Sequence, residues 1–214
     1  MSIITKIEAQ KKNEDRVNIY LNEQFFMGIY KELVFTLNLK KGMEIDENVL
    51  KGLLHDEMYI KAKNKALSIL SKAPQSEKNI ISKLSNDFDE DIIDEVLVFL
   101  RKYNFVNDED LAQRITNTNL KVNKCGKNRI KQNLYNKGID RNTIDSVMSD
   151  IDSDVEFENA MHLAKKRYER VKNEDRNKIY QKISQHLAYK GFSYDIIKRV
   201  LNKLLNYDES IIVK

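Results

Sequence analysis

The chain has 214 residues, enough for one large domain or two ordinary ones. Its residues are 41% hydrophobic and 33% charged, with one proline, six glycines and one cysteine. An internal disulfide framework is excluded, a strand-and-turn architecture is disfavoured, and no run of about 18 apolar residues is present to span a membrane.

The N-terminal "MSIITKIEAQKKNEDR" lacks the long apolar core of a leader, and with the single Cys125 it points to a reducing cytosol. The net charge of +4 conceals segregation. Residues 85–110 hold nine acids against Arg101 and Lys102, whereas residues 121–141 hold seven bases against Asp140. Local fields, not total charge, therefore steer partners.

In chain order, "SIITKIEA" (2–9), "RVNIYL" (16–21) and "QFFMGIY" (24–30) read as short strands. Val17, Ile19 and Leu21 share one side of a small antiparallel sheet. "KELVFTLN" reads as helical or irregular. Gly42 and Asp46 mark a turn and the start of a long helix, expected to be interrupted near His55.

From there a unit recurs. "NLYNKGIDRNTIDSVM" (133–148) returns as "HLAYKGFSYDIIKRVL" (186–201), and Leu134, Lys137, Gly138, Ile139, Ile144 and Val147 match residues 53 positions later. A weaker relative lies at 83–97, with Leu84, Phe88, Ile93 and Val96 in the apolar places and no Lys-Gly pair. Each copy follows another helical segment, so each unit reads as three helices. Gly138 and Gly191 fit left-handed helix stops, with Lys137 and Lys190 in the last turn before them. Ser76, Asp89, Asp140 and Ser193 are expected N-caps.

The expected organisation is an N-terminal extension with short antiparallel strands over 1–46, helical repeats over 47–105, 106–152 and 153–206, and a tail over 207–214. The fold class is mainly α: three tandem three-helix repeats in an elongated, curved molecule behind a small β-containing segment.

Two basic clusters are the candidate partner or nucleic-acid contacts: Lys121, Lys124, Lys127, Arg129 and Lys131, then Lys165, Lys166, Arg167 and Arg170. Lys127 and Lys131 share a helix face without an acid partner on that helix, an arrangement that disfavours the helix slightly unless an anion lies nearby. Tyr135, Tyr168, Tyr180 and Tyr189 lie among them and suit either base stacking or the edge of a core. A DNA-reading helix-turn-helix needs only one helix–Gly–helix unit, so three copies favour packing.

Other patterns carry no chemistry. "SDIDSDVEFE" has calcium-loop spacing at Asp150, Asp152 and Asp154, but Val155 and Met161 stand where Gly and Glu are required. It reads as an acidic linker. "CGKN" lacks the residues of a phosphate loop, the three histidines lack metal spacing, and Cys125 reads as a spectator thiol. No catalytic residue, metal or cofactor is expected.

Three segments resemble the RecX family of recombination regulators. "YNFVNDEDLA" (103–112), "GKNRIKQNLYNKGI" (126–139) and "ENAMHLAKKR" (158–167) are similar to the family's motifs, and the likeness covers about residues 55–205 with a family-like extension before it. Asn104 stands in place of a usual Gly and Leu111 in place of an aromatic. The resemblance implies a cytoplasmic, monomeric, non-enzymatic protein that binds the RecA recombinase filament on single-stranded DNA. It implies restraint of filament growth or stability, and so of ATP hydrolysis, strand exchange and the SOS response. A stand-alone helix-turn-helix-like DNA-binding protein is the alternative.

Overall fold

The computed structural model describes residues 1–10 and 13–212. In chain order it has β1 (Ser2–Gln10), β2 (Asn13–Leu21), β3 (Gln24–Tyr30), α1 (Lys31–Thr36), β4 (Glu44–Ile45), α2 (Glu47–Lys72), α3 (Glu77–Leu84) and α4 (Glu90–Lys102). Then follow α5 (Asp108–Asn117), a π-helical turn over Thr118–Val122, α6 (Lys127–Asn136), α7 (Arg141–Ser149), α8 (Ser153–Val171), α9 (Arg176–Tyr189) and α10 (Tyr194–Ile212). Contacts divide the chain into two units: residues 1–69 with 84–99, and residues 70–83 with 100–214.

In the first unit the expected sheet forms with strand order β3-β2-β1-β4, every pair antiparallel. The period-two pattern buries Val17, Ile19 and Leu21 with Ile4, Ile29 and Ile45, and Leu33, Leu50 and Leu54 complete this core. Asn22 and Glu23 join β2 to β3 with φ of 48° and 70°, the left-handed pair that a two-residue hairpin requires. The two-residue β4 was not anticipated, being too short to show alternation. α1 fulfils the helical expectation for "KELVFTLN". The expected interruption near His55 does not occur: α2 is continuous from Glu47 to Lys72. Gly52 lowers helix propensity there, but Leu50 and Leu54 on either side are buried and hold the turn. Asp46 starts this helix by accepting the Asn48 amide at 2.8 Å.

In the second unit α8, α9 and α10 pack as one bundle around Ala160, Ala164, Ile183, Leu187, Val200 and Leu201. α5, α6 and α7 pack around Ala112, Ile130, Leu134, Ile139, Ile144 and Val147. The matched apolar positions of the first copy are buried as well, Ile80 in this unit and Leu84, Ile93 and Val96 in the first. Gly138 and Gly191 take φ of 79° and 89°, as a helix stop demands, and Asn104 stands at 55° where the family has Gly. Asn is among the few other residues that tolerate this region. Asp140 caps α7 through the amides of Asn142 and Thr143, and Ser193 accepts the Ile196 amide at 3.3 Å. α10 runs past residue 206 to Ile212, so no break opens the expected tail at 207; residues 213 and 214 of that tail lie outside the described residues.

Candidate interaction face of the helical repeats

The Lys-Gly turn does more than stop a helix. Ser76 is fully buried; its hydroxyl donates to the Lys137 carbonyl at 2.6 Å and accepts the Asn79 amide at 3.3 Å. A Cβ on Gly138 would stand 2.8 Å from that hydroxyl. The same device recurs one repeat on. The Gly126 amide donates to the Lys190 carbonyl at 3.0 Å and the Asn128 amide to the Gly191 carbonyl at 3.1 Å. The turn of each later repeat thus meets the start of the second helix of the repeat before it, accepting from the Ser76 hydroxyl in one case and from amides that no intrahelical carbonyl can reach in the other. Gly126 is required by contact: a Cβ there would sit 2.5 Å from the Gly191 carbonyl. The first copy has no earlier repeat, and its turn instead receives the Tyr30 hydroxyl, 2.9 Å from the Asp87 carbonyl.

The first basic cluster is largely engaged within the fold. Lys124, with φ of 50°, donates to Asn159 Oδ1 at 3.1 Å, and Asn159 in turn donates to the Leu120 carbonyl at 2.9 Å. Lys127 donates from its ammonium to the Ile151 carbonyl and from its amide to Glu156 Oε1, both at 2.9 Å. Glu156 is only 5% exposed, so "SDIDSDVEFE" is not merely an acidic linker. Asp152 caps α8 and Glu156 caps the start of α6 from a distance. Lys131 pairs with Asp145 of α7 at 2.9 Å; that hydrogen bond is the main cause that raises the Lys131 ammonium above its ordinary value and lowers the Asp145 carboxyl. The acid partner absent from its own helix is supplied by the next. Arg129 lays its guanidinium 5.7 Å from the centre of the Tyr189 ring. Lys121, in the π-helical turn, is exposed.

The second cluster differs. Lys165, Lys166 and Arg170 are exposed on α8 and make no hydrogen bond or ion pair among the described residues, and Arg167 is half-buried beside them. His186 on α9 and Lys190 at its C-terminal cap, which the composition of the basic runs did not single out, adjoin these arginines. A period of four on α9 was the available signal. Tyr189 and Tyr194 are both 72% exposed, and Tyr168 is half-buried.

The exposed start of α7 offers little to a nucleic acid. Asn142, Thr143 and Ser146 line a cleft of about 570 Å³ with Glu109, Asp110 and Asp150, whose carboxylates repel phosphate. Cys125 is buried, with Sγ 3.9 Å from the Asn123 carbonyl. Among the described residues no group of three or more His, Cys, Asp or Glu is arranged to hold a metal ion. No helix among them is long and apolar enough to cross a membrane.

Comparison with known proteins finds the same family in every part of this organisation. Family models match in order: the regulatory protein RecX N-terminal domain at residues 2–46, and the first, second and third RecX three-helix domains at 62–100, 107–148 and 154–201. The regulatory protein RecX of Clostridioides difficile (strain 630) is 71% identical over 209 residues, covering 98% of this chain and 99% of its own. That of Clostridium tetani (strain Massachusetts / E88) is 39% identical, covering 96% and 95%. A crystal structure of regulatory protein RecX superposes with a TM-score of 0.64 at 30% identity, covering 94% of this chain and 98% of its own. One of RecX from Lactobacillus salivarius gives 0.65 at 32% identity, covering 70% and 97%. The chain belongs to the RecX family of regulatory proteins.

Proposed function

We propose that this protein is a non-enzymatic, cytoplasmic regulator that binds the RecA recombinase and its filament on single-stranded DNA. It limits filament extension or stability, and thereby recombinase ATP turnover and strand exchange. The observation that carries this reading is the match of all four RecX segments, in order, over nearly the whole chain. The distribution of charge supports it. The exposed cations of α8 suit a phosphate backbone or an acidic protein surface, whereas the acid-lined cleft beside α7 suits a basic protein surface.

The test adds the purified protein to recombinase on single-stranded DNA and follows ATP turnover and filament length together. Both should fall as the protein approaches the concentration of filament subunits. No effect at several-fold excess contradicts the reading. A stand-alone DNA-binding protein would instead bind naked duplex tightly and with steep salt dependence, since phosphate contacts release counterions. The acids around the start of α7 weigh against base readout from that helix.

A further inference from the structure

Arg167 and Arg170 stand one turn apart on α8; His186 lies on α9, the helix packed against it, and Lys190 caps the end of α9 one turn further on. Residues at those spacings share a helix face. The four are electrostatic neighbours: burial first, then the fields of Arg167, Lys190 and Arg170, hold the His186 imidazole below its ordinary value of 6.5. No carboxylate is among the groups acting on it. The acids nearest the two arginines in sequence are committed elsewhere, Glu169 to Lys172 at 2.8 Å and Glu174 to Lys182 at 2.6 Å.

Arg167 Nε is buried without a hydrogen-bond partner among the described residues. A buried donor left unmet is unfavourable, and so is the gathering of three cations, with no carboxylate among them, around one imidazole whose charged form they disfavour. Both features are answered by one missing component, an anion. Beside them, on the same helix, Tyr189 is 72% exposed with Arg129 over its ring, an open aromatic face of the kind on which bases stack.

We propose that Arg167, Arg170, His186 and Lys190 form a phosphodiester site for a single nucleic-acid strand, with Tyr189 as the stacking shelf beside it, and that His186 takes up a proton from solvent when the strand binds. The site deepens the function proposed above by naming the residues that meet DNA, but it requires no recombinase and is tested without it.

The direction of the proton coupling follows from the charges. In the free protein the cations disfavour the imidazolium. A bound phosphodiester cancels their field, so the pKa of His186 rises on binding. Linkage then requires affinity to grow as pH falls through the window between the bound and free values, roughly tenfold for each unit by which binding moves the pKa.

The experiment uses the full-length protein at low salt and a single-stranded oligonucleotide without terminal phosphates, so that only permanently ionised diesters are present. Affinity is measured from about pH 5.5 to about pH 8, a range that brackets the ordinary histidine value. The imidazole resonances are followed by NMR with and without the strand, His55 and His162 serving as internal controls. The expected result is a raised His186 pKa on binding, unmoved controls, and affinity that weakens as pH rises. His186→Gln should bind with flat pH dependence, and Tyr189→Ala should weaken binding roughly thirtyfold, near the middle of the range for loss of one stacked base. The wild-type NMR titration decides the matter even where a variant fails to fold. No binding at low salt, or saturating binding that leaves His186 unmoved, overturns the site. Equal competition by polyglutamate overturns it in favour of an acidic protein partner. A protein that fails here but still lowers recombinase ATP turnover keeps the proposed function and loses only this site.

Discussion

Lys124, Lys127 and Lys131 in one run and Lys165, Lys166 and Arg170 in the other carry the same charge, and in sequence they look interchangeable. In the fold they are put to opposite uses. The first three bond to Asn159, to the Ile151 carbonyl and to Asp145, each from a different part of the second unit. The second three face solvent without a partner among the described residues. Charge density in a sequence therefore does not measure the charge available to a partner. What separates the runs is whether acids and carbonyls distant in the chain fold back onto them.

The sharpest way to break this contrast is at the turn that brings α6 against the third repeat. Gly191→Ala sets a Cβ 2.4 Å from the Arg129 amide nitrogen and holds it at φ of 89°. Overpacking and left-handed strain together should cost roughly 2–4 kcal/mol, read as a lower urea midpoint. Gly42→Ala is the control: its φ is 88° but nothing lies within 4 Å, so only the strain of about 1 kcal/mol remains.

Next in size, Glu156→Ala leaves the Lys127 amide without its acceptor in a buried place. An unmet buried donor predicts a loss of about 1–3 kcal/mol in stability. Neutralising Lys165, Lys166 and Arg170 to Gln should change stability by less than about 0.5 kcal/mol, because surface groups outside the packed fold rarely matter more than that. The same triple change should weaken filament binding markedly.

The smallest expected effect is that of Lys131→Gln, which leaves the urea midpoint at neutral pH nearly unchanged, as for most exposed pairs. Its pH dependence carries the information. The hydrogen bond from Lys131 holds the Asp145 carboxyl below its ordinary 3.8. The pair's contribution is therefore present above that value and fades as pH falls through the depressed folded one. Any difference between wild type and variant should shrink on acidification below about pH 4, near the ordinary carboxylate value.

Much of the fold was legible because its signals are local. Val17, Ile19 and Leu21 alternate, Ile144 and Val147 repeat at helical spacing, and Gly138 and Gly191 stop helices for a steric reason that any sequence displays. β4 left no trace because two residues cannot show a period. The continuity of α2 was hidden because Gly52 and His55 resemble a break until the burial of Leu50 and Leu54 is known. The interaction face was less legible for a reason of distance. Gly126 belongs to a recognisable motif, but what excludes a side chain there is the Gly191 backbone, 65 positions later. Glu156 sat within a run read as a linker, since a capping carboxylate 29 residues from the amide it accepts has no sequence signature. His186 and Lys190 belong to no charge run and gain meaning only when α9 packs against α8.

The most direct measurement compares two triple variants as inhibitors of recombinase ATP turnover on single-stranded DNA. One carries Lys165→Gln, Lys166→Gln and Arg170→Gln, and the other Lys124→Gln, Lys127→Gln and Lys131→Gln. Both are assayed at a temperature where circular dichroism shows native helix. The first should need roughly tenfold more protein for half-inhibition, the factor expected for about 1.4 kcal/mol of lost binding, while the second should match wild type despite its lower stability. Normal inhibition by the first with loss in the second would contradict the assignment of the exposed α8 cations, and not the engaged α6 cations, to the partner.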